Sequence, residues 1–164
     1  MKLTIFAFGQ LKTPGLRQAA DYYQRLIRSW NPIVEIELKA LSIPQKDSAT
    51  RTRIQDKEGQ ILLHRIQTKS TLRGTFSLLD ETGPHRSTLD WAQELRDWER
   101  LGTPVSLCIG SSLGFSKEVR RQAKGTFSLG PQTLSHELAR VVLYEQLYRA
   151  SSVTHRHPYH NEGS

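Results

Sequence analysis

The chain predicts an α/β fold: a mainly parallel sheet with helices on both faces. Three features carry that expectation. Five apolar runs of strand length alternate with stretches of helical period; Gly, Pro, Asn or Asp punctuate the joins; and helices separate the successive strands, the connection that parallel pairing needs.

Lys2 to Phe8 reads as the first strand, ended by Gly9. Thr13-Pro14 opens a helix with a capping residue and Pro at its first position, and Leu16, Ala19, Ala20, Tyr23 and Leu26-Ile27 recur at helical spacing down to Trp30. Asn31-Pro32 breaks it, and Ile33 to Leu41 reads as the second strand. A polar loop from Ser42 to Ala49 leads to a second helix with Ile54, Ile61, Leu62 and Ile66 on one face. The third strand is expected over Thr75 to Leu79, stopped by Asp80-Glu81-Thr82-Gly83-Pro84. Ser87-Thr88-Leu89-Asp90 resembles a helix start, with Leu89, Ala92, Leu95 and Trp98 as its buried stripe up to Gly102. Val105 to Ile109 is the fourth strand, followed by a short helix from Ser116 to Lys124, a brief strand from Thr126 to Leu129, and a last helix from Ser135 to Ala150.

At 164 residues the chain suits one domain, residues 1–164. No apolar run reaches the roughly eighteen residues of a membrane span, and no signal peptide is visible, so no membrane partner is expected. One cysteine, Cys108 in mid-strand, makes no internal disulfide; it reads as a small buried hydrophobe in a reducing cytoplasm. The net charge of +7 points to an anionic partner and is regional. Residues 1 to 75 hold thirteen Lys and Arg against six Asp and Glu, whereas residues 76 to 114 hold three against six. Lys39, Lys46, Arg51, Arg53, Lys57, Arg65, Lys69 and Arg73 concentrate in one loop and helix, a source of phosphate contacts or simply a solvated face.

Three loops leave the carboxyl ends of strands: Asp80 to His85, Gly110 to Phe115 and Gly130 to Ser135. In open α/β folds ligands bind at that edge, so neighbouring strands would merge these loops into one crevice. The stretch Gly9 to Gly15 fails the dinucleotide-binding pattern, and no phosphate-binding Gly-Lys-Ser/Thr or nucleophile-elbow motif exists. His155, His157 and His160 are close in sequence, but without nearby cysteines or a carboxylate cluster no metal is expected. Three of six histidines fall in the last ten residues, interleaved with Arg156, Pro158 and Tyr159, a composition suited to a planar, anionic partner.

Read together, the strand ending Ile109-Gly110, the turn Ser128-Leu129-Gly130-Pro131-Gln132-Thr133-Leu134-Ser135-His136, the helix from Leu138 to Ala150 and the ending His157-Pro158-Tyr159-His160 resemble the RlmH family. These are small SPOUT-class methyltransferases of ribosomal RNA, and Met1 to Gly9, Asp56-Lys57-Glu58-Gly59 and Leu79-Asp80 extend the resemblance along the chain. It implies a carboxy-terminal trefoil knot, a homodimer, S-adenosylmethionine as methyl donor, and N3 of a pseudouridine in 23S rRNA (position 1915) as acceptor, on the assembled ribosome. It assigns cofactor contacts to Leu79, Gly110, Leu129, Gly130, Pro131, Gln132, Thr133 and Leu134. The acceptor side falls to His136, Arg140, Glu145, Tyr159 and His160 as catalytic candidates, with Arg149, Arg156 and His157 toward RNA. Glu145 can equally be the i+4 partner of Arg149, and Tyr148 can equally be core.

The chain departs from the family in three places. Ser111 stands where a second glycine is usual, Ser135 where a Pro is usual, and Asn161-Glu162-Gly163-Ser164 follows the usual ending. Ser111 favours the alternative of a non-catalytic RNA-binding module that keeps the fold. A third reading, a domain for a phosphorylated metabolite, leaves the basic tail unexplained.

Overall fold

The computed structural model describes residues 1–69 and 76–159. Five strands, β1 (Leu3–Phe8), β2 (Ile33–Leu38), β3 (Ser77–Leu79), β4 (Val105–Ile109) and β5 (Gly125–Phe127), form one sheet in the order β2-β1-β4-β3-β5. Every pairing in it is parallel. Five helices make the connections and the tail: α1 (Pro14–Ile27), α2 (Ser48–Lys69), α3 (Thr88–Leu101), α4 (Lys117–Gln122) and α5 (His136–Thr154). The predicted α/β class and alternation are therefore present. Thr75, placed at the start of the third strand, lies outside the described residues.

Strand alternation divides the core between two faces. Leu3, Ile5 and Ala7 of β1 and Leu107 of β4 pack under α1, α3 and α5, while Phe6, Phe8 and Cys108 pack under α2 and α4. Burial pushes the Cys108 thiol up, so it stays protonated and serves as filler.

Local chemistry sets the helix ends. Ser87 and Asp90 form the expected capping box at α3, each side chain taking the other's backbone N–H, and Gly102 closes that helix in the left-handed conformation. Ser135 caps α5 through the Leu138 N–H. At the entry to α1 Thr13 gives no side-chain cap; instead Glu137 of α5 accepts from the Lys12 and Thr13 N–H groups.

Two predicted stripes are off by one margin. Leu89 is 61% exposed and Trp91 takes the interior place, because the buried arc of α3 centres on Trp91, Leu95 and Trp98. Ile61 is 37% exposed, because α2 seats itself on Glu58, Gly59, Leu62 and Ile66, leaving Ile61 at the rim. The last helix also runs past Ala150 to Thr154. Ser151 and Ser152 are buried there, their hydroxyls returned to the Leu147 and Arg149 carbonyls, which removes the cost of carrying polar groups inside.

Candidate active site

Strands β4, β3 and β5 are adjacent, so the three loops leaving their carboxyl ends meet in one crevice of about 650 Å³. That lies within the roughly 300–1,000 Å³ usual for small-molecule sites. Its walls are Leu79 to Thr82 after β3, Ile109 to Phe115 around the end of β4, and Leu129, Gly130 and Gln132 to His136 after β5, with Ala139 of α5 and Arg120 of α4. Of the residues assigned to cofactor, Leu79, Gly110, Leu129, Gly130, Gln132, Thr133 and Leu134 line it; Pro131 does not.

Side chains tie these loops across the crevice. Thr133 donates to Glu81 at 2.5 Å, joining the loops after β5 and β3, and Arg120 donates to Asp80 at 2.6 Å. Asp80 is partly buried, which by itself raises its pKa; two hydrogen bonds from Thr82 and the Arg120 guanidinium outweigh that and hold the carboxyl below its ordinary value. The lining thus combines apolar side chains for a flat heterocycle (Leu79, Ile109, Leu129, Leu134) with the carboxylates of Asp80 and Glu81, suited to a cationic or hydroxylic ligand. That donor set fits S-adenosylmethionine.

Ser111 does not simply narrow the crevice. Its hydroxyl donates to Glu58 at 2.5 Å and accepts from the Leu113 N–H at 3.2 Å, while Glu58, 2% exposed, also accepts from the Leu41 N–H at 2.8 Å. The turn after β4 is therefore strutted onto α2. Sequence reasoning gave Glu58 no role, although a signal existed: it stands at i+4 from Ile54 and i−4 from Leu62, an acid within an apolar stripe. Ser111→Ala leaves the buried carboxylate one donor short, so stability in urea should fall by about 1–3 kcal/mol, with weaker cofactor binding by calorimetry. Unchanged values for both would show that the strut does nothing.

The acceptor-side candidates separate. His136 lines the crevice with its ring against Gly9, close enough that a Cβ there would lie 3.0 Å from Nε2. Arg140 is enclosed in this chain: its side chain is 0% exposed, and it donates to Glu37 and to the Gly9 carbonyl, each at 2.8 Å, which ties the ends of β1 and β2 together. Tyr144 donates to Glu35 in the same network.

Glu145, Arg149 and Tyr159 form a separate cluster. From Ala139 at the crevice to Arg149 is ten residues of helix, about 15 Å. Arg149 donates to Glu145 at 2.8 Å and stacks over the Tyr159 ring at 4.9 Å. Tyr159 in turn lies 4.6 Å from the ring of Tyr148, which is core, and Tyr148 stacks on Trp30, as does His155. Tyr159 is thus seated on its own chain. Burial first, then Tyr23 and Glu145, push its hydroxyl up to about 12, so at neutral pH it donates a proton and is no phenolate base. His157 sets its ring edge against Trp30, and Arg156 is exposed. His160 lies outside the described residues.

Among the described residues no group of three His, Cys, Asp or Glu is placed to hold a metal ion, and no helix is long and apolar enough to cross a membrane.

A family model described as predicted SPOUT methyltransferase matches residues 1–160. The chain is 38% identical over 163 residues to the ribosomal RNA large subunit methyltransferase H of Acidovorax ebreus (strain TPSY), covering 99% of this chain and 100% of that protein. It is 36% identical over 160 residues to the protein of the same name from Solidesulfovibrio magneticus, covering 97% and 98%. With that of Polaromonas naphthalenivorans it shares 35% identity over 164 residues, covering 99% and 100%.

Proposed function

The chain belongs to the SPOUT methyltransferase family, and on that premise we propose that it transfers a methyl group from S-adenosylmethionine to N3 of a pseudouridine in large-subunit rRNA, acting as a single domain on ribosomes in the cytoplasm. The crevice at the carboxyl ends of β4, β3 and β5 carries this reading, because it brings nearly all the residues assigned to cofactor into one place. The trefoil knot is part of the same proposal.

The bound donor supplies a methyl group that is already electrophilic, so the protein's work is to hold both reactants in line and to take the ring-nitrogen proton. Leu79, Ile109, Leu129 and Leu134 would hold the flat part of the cofactor and exclude water. Asp80 and Glu81, held in place by Arg120 and Thr133, would fix its polar end. His136 at the rim is the crevice's own proton acceptor, through an imidazole nitrogen. Arg140, through the Gly9 carbonyl, keeps the backbone beneath that imidazole in place.

The Glu145, Arg149 and Tyr159 cluster lies too far along α5 to serve the crevice of the same chain. A second copy would bring it there, so we take the acting form to be a homodimer with a shared site. Leu138, 39% exposed, and the half-buried Val141 and Val142 leave apolar surface on α5 for that contact. Light scattering at micromolar concentration should give twice the chain mass; a monomer would count against both the dimer and the shared site.

Methylation of ribosomes lacking this modification, together with calorimetric titration of S-adenosylmethionine, tests the whole reading. Methyl incorporation with saturable cofactor binding supports it. RNA binding without either would favour the non-catalytic module.

A further inference from the structure

Six of the surface arginines in this protein are neutralised locally. Arg17, Arg86, Arg100, Arg120, Arg121 and Arg149 each lie within 3.5 Å of a carboxylate oxygen. The cations without such a partner gather most densely on α2 and the loop before it. Lys46, Arg51, Arg53 and Lys57 are exposed, and none makes an ion pair among the described residues. Of the nearby carboxylates, Asp47 is spent on the Thr50 N–H at the helix entry and Glu58 turns inward to the Leu41 N–H and the Ser111 hydroxyl. Arg53, Lys57, Gln60 and His64 follow one another at i, i+4, i+7 and i+11, which sets them in a single exposed stripe along the helix.

We propose that this outer face of α2, with the loop that feeds it, is the surface on which the rRNA backbone docks, its free cations meeting phosphates. The proposal rests on the methyltransferase reading above and adds the surface that presents the substrate. Charge complementarity selects the partner: free guanidinium and ammonium groups interleaved with Gln and His suit a phosphate track with hydrogen-bonding sugars and bases. A membrane surface would call for an apolar face to insert, and on α2 the exposed large hydrophobic is Ile61 alone among the described residues.

The inner edge of the same helix holds the crevice. Gln55 donates to the Leu113 carbonyl at 2.6 Å, Glu58 takes the Ser111 hydroxyl, and Gly59 lies so close to Ser116 that any side chain there would collide with it. RNA seated on the outer stripe is thereby held at a fixed offset from the turn after β4.

Neutralising two of the cations, Arg53→Gln with Lys57→Gln, tests this against a control pair of equal charge on the opposite face of the sheet, Arg25→Gln with Arg28→Gln. Affinity for ribosomes is measured across a salt series, with calorimetric S-adenosylmethionine binding as the check of folding. The α2 pair should lower the slope of log affinity against log salt by about 1.4–1.8, roughly 0.7–0.9 per phosphate contact, with cofactor affinity unchanged. The control pair should leave the slope near the parent value. An unchanged slope in the α2 pair, or an equal fall in both pairs, overturns the proposal. So does loss of binding only to phosphatidylcholine vesicles containing phosphatidylserine. If the parent protein itself neither binds S-adenosylmethionine nor methylates ribosomes, the methyltransferase reading fails, whatever the slopes show.

Discussion

Gly110→Val yields a folded protein whose affinity for S-adenosylmethionine is lower by up to roughly a hundredfold. Gly110 closes β4 in the wall of the crevice, and a Cβ built there lies 3.4 Å from Gly114 and from the Phe115 ring. One methyl group therefore sits at ordinary contact distance, and Gly110→Ala should bind cofactor nearly as the parent does. The two further methyl groups of Val must press on the Gly114-Phe115 turn or enter the crevice. Overpacking of that kind is worth about 1–3 kcal/mol, and at about 1.4 kcal/mol per tenfold its upper end gives the expected loss. Calorimetry on both variants, with circular dichroism to confirm folding, decides it; parent-like affinity in a folded Val variant would remove the cofactor from this crevice.

Deleting Pro158 to Ser164 should cut methyl transfer to ribosomes by roughly 30-fold or more. The estimate takes two stacking side chains, Tyr159 and His160, at about 1–3 kcal/mol each toward an RNA base. The seat of Tyr159 against Tyr148 and Arg149 means the deletion is not silent in stability: the lost aromatic pair is worth about 0.5–1.5 kcal/mol beyond its burial. The protein should nevertheless stay folded, since Tyr148, Leu147 and Ala150 keep their places in the core. Removing only Asn161 to Ser164 should leave both activity and stability as they were. Full activity after the longer deletion would exclude the tail from the reaction, and an unfolded product would make it structural.

What could be seen in the sequence was what local rules govern. Strand and helix alternation, the capping box at Ser87, Pro14 at a helix start and the three loops at the carboxyl edge depend on neighbours a few residues apart. The errors have the same origin. A spacing of three or four places Leu89 and Ile61 near the buried arcs of their helices, yet which side of an arc meets the sheet is decided by Trp91 in one case and by the Glu58-Gly59 seat in the other. The enclosure of Arg140 could not be seen because its partners, Glu37 and the Gly9 carbonyl, are more than a hundred residues away. No periodicity reports a pairing of that length. For Tyr159 the tail's composition suited a planar partner, and the ring it packs against within the chain, at a tilt, is that of Tyr148.

The strand order also carries a consequence for how the molecule is made. β3 lies between β4 and β5, and both of those follow it in the chain. During synthesis from the amino terminus β1 can pair with β2 as soon as both have emerged, but Ser77 to Leu79 then has no strand on either side. It waits for residues 105–127, and the loop after β5 that completes the crevice comes later still. The part of the protein that would hold the cofactor is thus completed late, and a nascent chain that has not passed Leu134 lacks one of its three walls.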